Sequence, residues 1–376
     1  MIYLLLFAGL FMGWSLGTND AANAFGTAVA TRVIKYKTAV TIIAVLVVIG
    51  AFLMGAGNID SVAKLANSNE VTASIAEVES VVAEAKATFP EGVEPTVEEL
   101  EATPLLQDLR LKSALKAAII FVCAALTVTM MSYFKMPVSA NQSITGAIIG
   151  WGLFYADYSD PAILDINLPQ IGKFASTWLL NPLGAGIISF IIVWIVRKFL
   201  EDKLTHLSMY DKLIKIGYLG AGAFASFSIG MNSSANVTAL YYDMAYQSTG
   251  VAANLLIDPQ LTATIGGIAI AVGVLTYSKR VMMTVGSSIA DLNQIEGFLV
   301  IIAMALTIVI MGTCMGIPVS TSQAVVGAVM GAGLTKGVKH VHFGVMKNIG
   351  LAWVGSPTIA GLLTYIVAAA TSGYFG

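Results

Sequence analysis

The sequence predicts an all-α polytopic membrane protein built as two inverted repeats, each with a broken helix and a re-entrant hairpin. Three observations predict it. Of the 376 residues, 57% are hydrophobic and only 11% charged, too few charges to cover a water-exposed shell, which excludes a soluble domain. Two unusual passages occur twice: Ser15-Leu16-Gly17-Thr18-Asn19-Asp20-Ala21-Ala22-Asn23 returns as Ser228-Ile229-Gly230-Met231-Asn232-Ser233-Ser234-Ala235-Asn236, and Met136–Leu153 returns as Ile317–Leu334 with nine of eighteen positions identical. Finally, Lys and Arg collect on alternate connections between the apolar runs.

Apolar runs long enough to cross a hydrocarbon core of roughly 30 Å lie near 2–28, 38–57, 113–134, 175–196, 216–242, 260–277, 297–316 and 349–371. The first has no basic leader and no small-residue cleavage site, so it reads as a retained helix rather than a signal peptide. Two shorter runs, near 139–155 and 320–335, follow the proline motifs. The step from Gly17 to Gly230 is longer by 32 than the step from Pro137 to Pro318. That shift places an insertion in the first half, within 58–112, a stretch rich in Glu and Ala that carries Pro90, Pro95 and Pro104. Short extramembrane helices near 70–88 and 96–109 are expected there. The layout is a first repeat over 1–196, a cytoplasmic linker over 197–215 and a second repeat over 216–376. Cys123 and Cys314 lie in apolar runs without partner spacing and read as packing residues.

Each half reads as a broken helix, a plain helix, a hairpin with the proline motif at its tip, and another helix. A re-entrant hairpin adds no net crossing, so each half crosses three times, and an odd number inverts the second copy. The run 113–134 is long enough to span by itself, roughly 33 Å at 1.5 Å per residue. With the N-terminus outside, the inside segments hold Arg32, Lys35 and Lys37; Arg197, Lys198, Lys203, Lys212 and Lys215; Lys279 and Arg280; and Lys336, Lys339 and Lys347, which is 13 of the 20 basic residues. The positive-inside rule then puts both termini outside the cell membrane.

Asp20 is the one carboxylate deep within a predicted span, and an intramembrane acid points to function. Gly17, Ala21 and Ala22 let the helix unwind or another backbone approach. Asn19, Asp20 and Asn23 offer hard oxygen ligands that suit Na⁺, with freed backbone carbonyls to complete the shell. The competing structural reading is small-residue packing between helices, which needs no aspartate. The second copy offers Asn232, Ser233 and Asn236. At the hairpin tips, Pro137 and Pro318 each precede a helix start, followed by Ser139, Ala140, Asn141 and Gln142 in one copy and by Ser320, Thr321, Ser322 and Gln323 in the other. Proline there leaves the next N–H donors free, and the helix dipole makes that end positive. Two such ends meeting at the midplane suit a small tetrahedral oxyanion; the plainer reading is ordinary capping. Lys135 either attracts that anion or snorkels at the hairpin mouth. Asp291 and Glu296 read as interfacial, and Arg32, His340 and His342 as inner-surface residues.

At these residues the chain resembles the inorganic phosphate transporter (PiT) family, over both halves and nearly everything except 58–112. Gly17-Thr18-Asn19-Asp20-Ala21-Ala22-Asn23 is similar to that family's glycine–x–asparagine–aspartate–x–alanine–asparagine signature, and Pro318-Val319-Ser320-Thr321-Ser322-Gln323 to its hairpin-tip motif. The resemblance implies a symporter that imports phosphate with Na⁺, or in some relatives H⁺. It further implies that Asp20, Asn23 and Gln142 form one cation site, with Asn236 and Gln323 in a second. Ser139, Ser320, Thr321 and Ser322 would hold the anion. Two departures stand out. Ser233 replaces the usual second aspartate, and Ala140-Asn141 replaces the usual paired hydroxyls. The first weakens one hard-cation site. Together they bring sulfate, carried by some relatives, into play beside phosphate, because sulfate only accepts hydrogen bonds while phosphate also donates them.

The expected function is therefore a cation-coupled symporter for phosphate or, as the alternative, sulfate. An anion channel is a second class, but two closed tips resemble gates rather than an open path. An intramembrane enzyme lacks a His/Glu cluster or a nucleophile–base spacing. Beyond Na⁺ or H⁺ as coupling ion no cofactor is expected. The surroundings are membrane lipid, no nucleic-acid partner is indicated, and a homodimer is common for transporters of this kind.

Overall fold

The computed structural model describes residues 2–58, 81–89, 95–96, 99, 103–155, 168–199, 207–238, 258–315 and 319–375. Over these residues the chain is helical, with a single isolated bridge between Ala290 and Val341. The first half contributes α1 (Ile2–Ala30), α2 (Tyr36–Met54), α3 (Pro104–Tyr133), α4 (Ala140–Tyr155) and α5 (Leu168–Phe199). The second contributes α6 (Leu207–Ser233), α7 (Pro259–Tyr277), the short α8 (Lys279–Ser287), α9 (Gln294–Met315), α10 (Thr321–Leu334) and α11 (Phe343–Phe375). Seven helical stretches among the described residues are long and apolar enough to cross a membrane. Large apolar side chains such as Phe7, Leu179, Ile187, Leu351, Val354 and Leu362 face outward, where only lipid suits them, while Phe25, Phe121, Phe174 and Tyr218 are buried. The protein is a multi-pass membrane protein.

Matched glycines fix how the halves meet. A methyl group on Gly17 of α1 would collide with the Ile270 carbonyl of α7, and one on Gly273 of α7 with the Trp14 carbonyl of α1. The corresponding residues repeat the contact, Gly230 of α6 against Val47 of α2 and Gly50 of α2 against Phe227 of α6. Gly146 and Gly150 of α4 lie on the Pro357 and Gly361 carbonyls of α11; Gly327 and Gly331 of α10 lie on those of Pro182 and Gly186 in α5. In every case a helix of one half packs on a helix of the other. The halves interlock rather than stand side by side, through the close small-residue contacts on which membrane helices rely. The same pairs locate the length differences between the halves. Gly273 lies further along the chain from Gly50 than Gly230 does from Gly17, so the second half is the longer one between its first two helices. The insertion before the first hairpin tip is correspondingly larger than the net shift between the motifs.

Three expectations change. α1 is continuous through Gly17–Asn23, so the first copy has no broken helix; its small residues admit α7 instead of unwinding the chain. The second copy does break, at Ser234, with 235–238 helical again beyond it. In the insertion, 81–87 is helical, and most of the expected helix over 70–88 lies outside the described residues. Of the helix expected over 96–109, residues 104–109 open α3, which starts with Pro104 at its first turn and meets no breaker until Tyr133. Glu99 is helical and forms a capping box with Thr96, Thr103 before α3 is extended, and 97–98 and 100–102 lie outside the described residues. Likewise α5 and α6 run into the segment read as a linker, whose residues 200–206 lie outside the described ones.

Glu296, read as interfacial, is buried. It forms a capping box with Asn293 at the start of α9, its Oε2 accepting from the Asn293 N–H at 2.8 Å while its own N–H donates to Asn293 Oδ1 at 2.9 Å. The same oxygen pairs with Lys336 Nζ at 2.6 Å. Lys336 lies beyond α10, so the pair ties together the outer ends of the two hairpin arms.

Candidate functional site

Each hairpin tip is held by an asparagine of the signature motif in its own half. Asn19 Oδ1 accepts from the Val138 N–H at 3.2 Å, and its Nδ2 donates to the Met136 carbonyl at 3.1 Å. The matching Asn232 accepts from the Val319 N–H at 3.2 Å and donates to the Val319 carbonyl at 2.9 Å. Further ties come from the opposite half: Trp353 donates to the Pro137 carbonyl at 3.2 Å, and Asn181 to the Ser320 carbonyl at 2.6 Å. The first tip is also aimed by the turn before it. Lys135 takes a left-handed conformation (φ 64°), while the Met136 N–H bonds the Met131 carbonyl and the Lys135 N–H that of Ser132. That is a Schellman ending, a conformation that costs a non-glycine residue about 1 kcal/mol or more. The Lys135 side chain is exposed and does not line the cavity between the tips.

Beyond the turns, Ser139 and Ser320 cap α4 and α10, their hydroxyl oxygens accepting from the Gln142 and Gln323 N–H groups at 3.4 and 3.2 Å. A hydroxyl that caps in this way keeps its own proton to donate. Both helix starts open onto one small cavity lined by Leu16, Asp20, Ser139, Ala140, Asn141, Asn232, Ser233, Asn236, Val319, Ser320 and Thr321. Pro318 itself lies outside the described residues.

Asp20 is 4% exposed. Its Oδ1 accepts from Asn23 Nδ2 at 3.2 Å and Ser322 Oγ at 3.3 Å, its Oδ2 from Ser233 Oγ at 3.1 Å. Asn23 Nδ2 reaches Thr321 Oγ1 at 2.9 Å and Ser322 Oγ at 3.1 Å. Among the described residues no cationic side chain forms an ion pair with Asp20. A lone carboxylate in so dry a place is costly unless it meets a cation or a proton. Asn23 Oδ1 is also buried without a hydrogen-bond partner, an oxygen free to join such a cation.

The structure brings most of the predicted residues together, with a different pairing from that expected. Asp20 and Asn23 meet Thr321 and Ser322 of the opposite half's tip, whereas Gln142 is not among the cavity residues. Gln142 Oε1 and both amide atoms of Gln323 are buried without partners. Asn19 clamps the first tip, and its Oδ1 also accepts from Ser322 Oγ at 3.4 Å, which joins it to the Asp20 cluster. Sequence reasoning missed Leu16, Asn181 and Trp353. The Asn181-Pro182 pair inside an apolar run was a readable signal; Leu16 and Trp353 gave none.

Comparison with known proteins agrees with this architecture. The model of the Phosphate transporter family (PHO4) matches residues 16–364. A Pyrococcus abyssi protein, by name a phosphate permease, is 28% identical, the match covering 97% of this chain and 96% of that one. A chloroplastic Arabidopsis thaliana protein, named inorganic phosphate transporter 2-1, is 23% identical over 97% of this chain and 71% of its own length. Among solved structures, one named the sodium-dependent phosphate transporter superposes with a TM-score of 0.69 at 22% identity, covering 98% of both chains.

Proposed function

Because the chain belongs to the phosphate transporter family, we propose that it is a symporter that imports inorganic phosphate, driven by Na⁺, through alternating access between two inverted repeats. The observation that carries this reading is the buried carboxylate of Asp20, which among the described residues has no cationic partner, beside two apposed helix starts. One group attracts a cation and the other, through N–H donors, serine hydroxyls and dipole, an oxyanion a few ångströms away. Neither charge is comfortable in a membrane interior alone, so each ion favours the binding of the other, and that is the physical basis of coupling.

In this reading Ser139, Ser320 and Thr321 donate to the anion, with Ala140, Asn141 and Ser322 completing its shell. Asp20 and Asn23 hold Na⁺ from one side, Ser233 and Asn236 line the cavity, and Gln142 and Gln323 are buried outside its lining. Asn19 and Asn232 position those tips. Opening follows from rocking of the interlocked helix pairs about the tips, with both termini outside the cell. Sodium coupling draws support from the structural relative, a transporter named as sodium-dependent. The buried carboxylate would also serve a proton, which keeps H⁺ as the second driving ion. Sulfate is the second substrate reading, favoured by Ala140 and Asn141, which leave fewer hydroxyls on one side of the anion.

The test is uptake of radiolabelled phosphate and, separately, sulfate into proteoliposomes under an imposed Na⁺ or H⁺ gradient. Phosphate uptake stimulated by Na⁺ is expected. Sulfate uptake without phosphate uptake would move the chain to a different substrate, and uptake indifferent to both gradients would remove the symport mechanism.

A further inference from the structure

The two halves of the cavity are related by the sequence repeat, and the relation is broken in one place. In the duplicated signature, Asp20 and Asn23 correspond to Ser233 and Asn236. In the duplicated tip, Thr321 and Ser322 correspond to Ala140 and Asn141. The first quartet is therefore Asp20, Asn23, Thr321 and Ser322, joined by hydrogen bonds of 2.9 to 3.3 Å. Its counterpart is Ser233, Asn236, Ala140 and Asn141, all of which line the same cavity. The carboxylate has become a hydroxyl in one element, and the two hydroxyl residues have become alanine and asparagine in the other. Both losses fall on one quartet, although its members lie on two separate elements, α6 with its extension and the first tip.

Ser233 has also been turned to a new use. Its hydroxyl donates to Asp20 Oδ2 at 3.1 Å, so one carboxylate is shared across the pseudo-twofold relation. An aspartate at 233 would face Asp20 directly, two acids sharing a site that a second cation would have to neutralise.

We propose that this chain keeps one of two repeat-related cation sites and therefore carries one cation per anion. The kept site is built on Asp20 and Asn23, where the orphaned Asn23 Oδ1 supplies a further ligand and the hydroxyls of Thr321 and Ser322, bonded to that pair, face the anion beside it. The counterpart pair Ser233 and Asn236, beside Ala140 and Asn141, binds no cation. This rests on the symport reading above and goes beyond it by fixing the count.

The experiment is a static-head measurement in proteoliposomes holding the wild-type chain, with membrane potential clamped at zero by potassium and valinomycin and pH equal on both sides. Under a tenfold inward Na⁺ gradient, one cation per phosphate sustains about a tenfold phosphate gradient and two sustain about a hundredfold one, since each tenfold ratio stores the same free energy. An accumulation near tenfold is expected, and one well above it, approaching a hundredfold, would overturn the proposal. If no gradient of Na⁺, nor of protons in a parallel experiment, sustains any accumulation, the symport reading itself has failed. The variant that rebuilds the lost quartet, Ser233→Asp with Ala140→Thr and Asn141→Ser, should move the plateau toward a hundredfold. A folded variant that stays at tenfold would show that these residues do not set the count. Should the variant not fold, the wild-type plateau alone decides.

Discussion

The two repeat-related quartets at the cavity, one reaching it through Asp20 and Thr321 and the other through all four of its members, differ far more than the frames that hold them. Asn19 and Asn232 accept from the N–H of corresponding valines, Val138 and Val319, and the glycine contacts of α1 with α7 recur in α6 with α2. Against that shared scaffold, one quartet keeps an acid and two hydroxyls while the other has lost all three. Close packing of backbones tolerates no added atom, so the frame has held its symmetry. A binding site that needs only one copy is free to diverge, and the asymmetry marks where chemistry is concentrated.

The largest effect should come from breaking the frame. Gly17→Val and Gly230→Val each push two methyls into a backbone carbonyl of the other half, a clash without a flexible side chain to give way. Both should abolish folded, monodisperse protein in detergent size-exclusion chromatography. If one alone does so, the two halves do not contribute equally to the interlock.

Within the folded protein, the next effect belongs to the kept quartet. Thr321→Ala removes a hydroxyl that the proposed function assigns to the anion, a contact worth about 1.5–3 kcal/mol. Phosphate affinity should fall by roughly ten- to a hundredfold, measured as the half-saturating concentration for uptake, while Na⁺ dependence changes less. Unchanged phosphate affinity would count against anion binding at the second tip.

A smaller effect should follow at the tips' supports. Asn19→Ala and Asn232→Ala leave an N–H and a carbonyl of each tip without their partner, about 1–3 kcal/mol of destabilisation each, seen as a lower melting temperature with similar drops in the two variants. A drop in only one would mean that the clamps are not equivalent. Smallest of all is Ala140→Ser, which adds a hydroxyl to the depleted side and should shift phosphate affinity by less than about threefold. A large gain would mean that the depleted tip is the stronger half of the anion site.

Much of this was legible in the sequence, for a definite reason. Polar residues inside apolar runs are conspicuous, so Asp20, Asn23, both tips and their duplication could be read directly, and the helical membrane architecture followed from composition. The pairing of elements could not. The spacing of Gly146 with Gly150 announces a face for close contact but does not say which helix will use it, and the partner turned out to be α11 of the opposite half. For the same reason Asp20 was expected beside Gln142 and lies against Ser322. Asn19 was ambiguous because one amide serves equally as ion ligand or backbone clamp. The expected break in α1 failed because glycine permits both unwinding and close packing, and packing against Ile270 won.

In the proposed symport mechanism, cation coupling rests most directly on Asp20. Phosphate uptake by Asp20→Asn proteoliposomes, compared with wild type with Na⁺ outside and then with choline in its place, tests it in one experiment. A carboxylate about 4 Å from a cation is worth on the order of 4 kcal/mol in a partly screened site, so the folded variant should lose Na⁺-stimulated uptake by roughly a thousandfold, to the level seen in choline. Wild-type stimulation by Na⁺ in that variant would contradict a cation site built on this carboxylate.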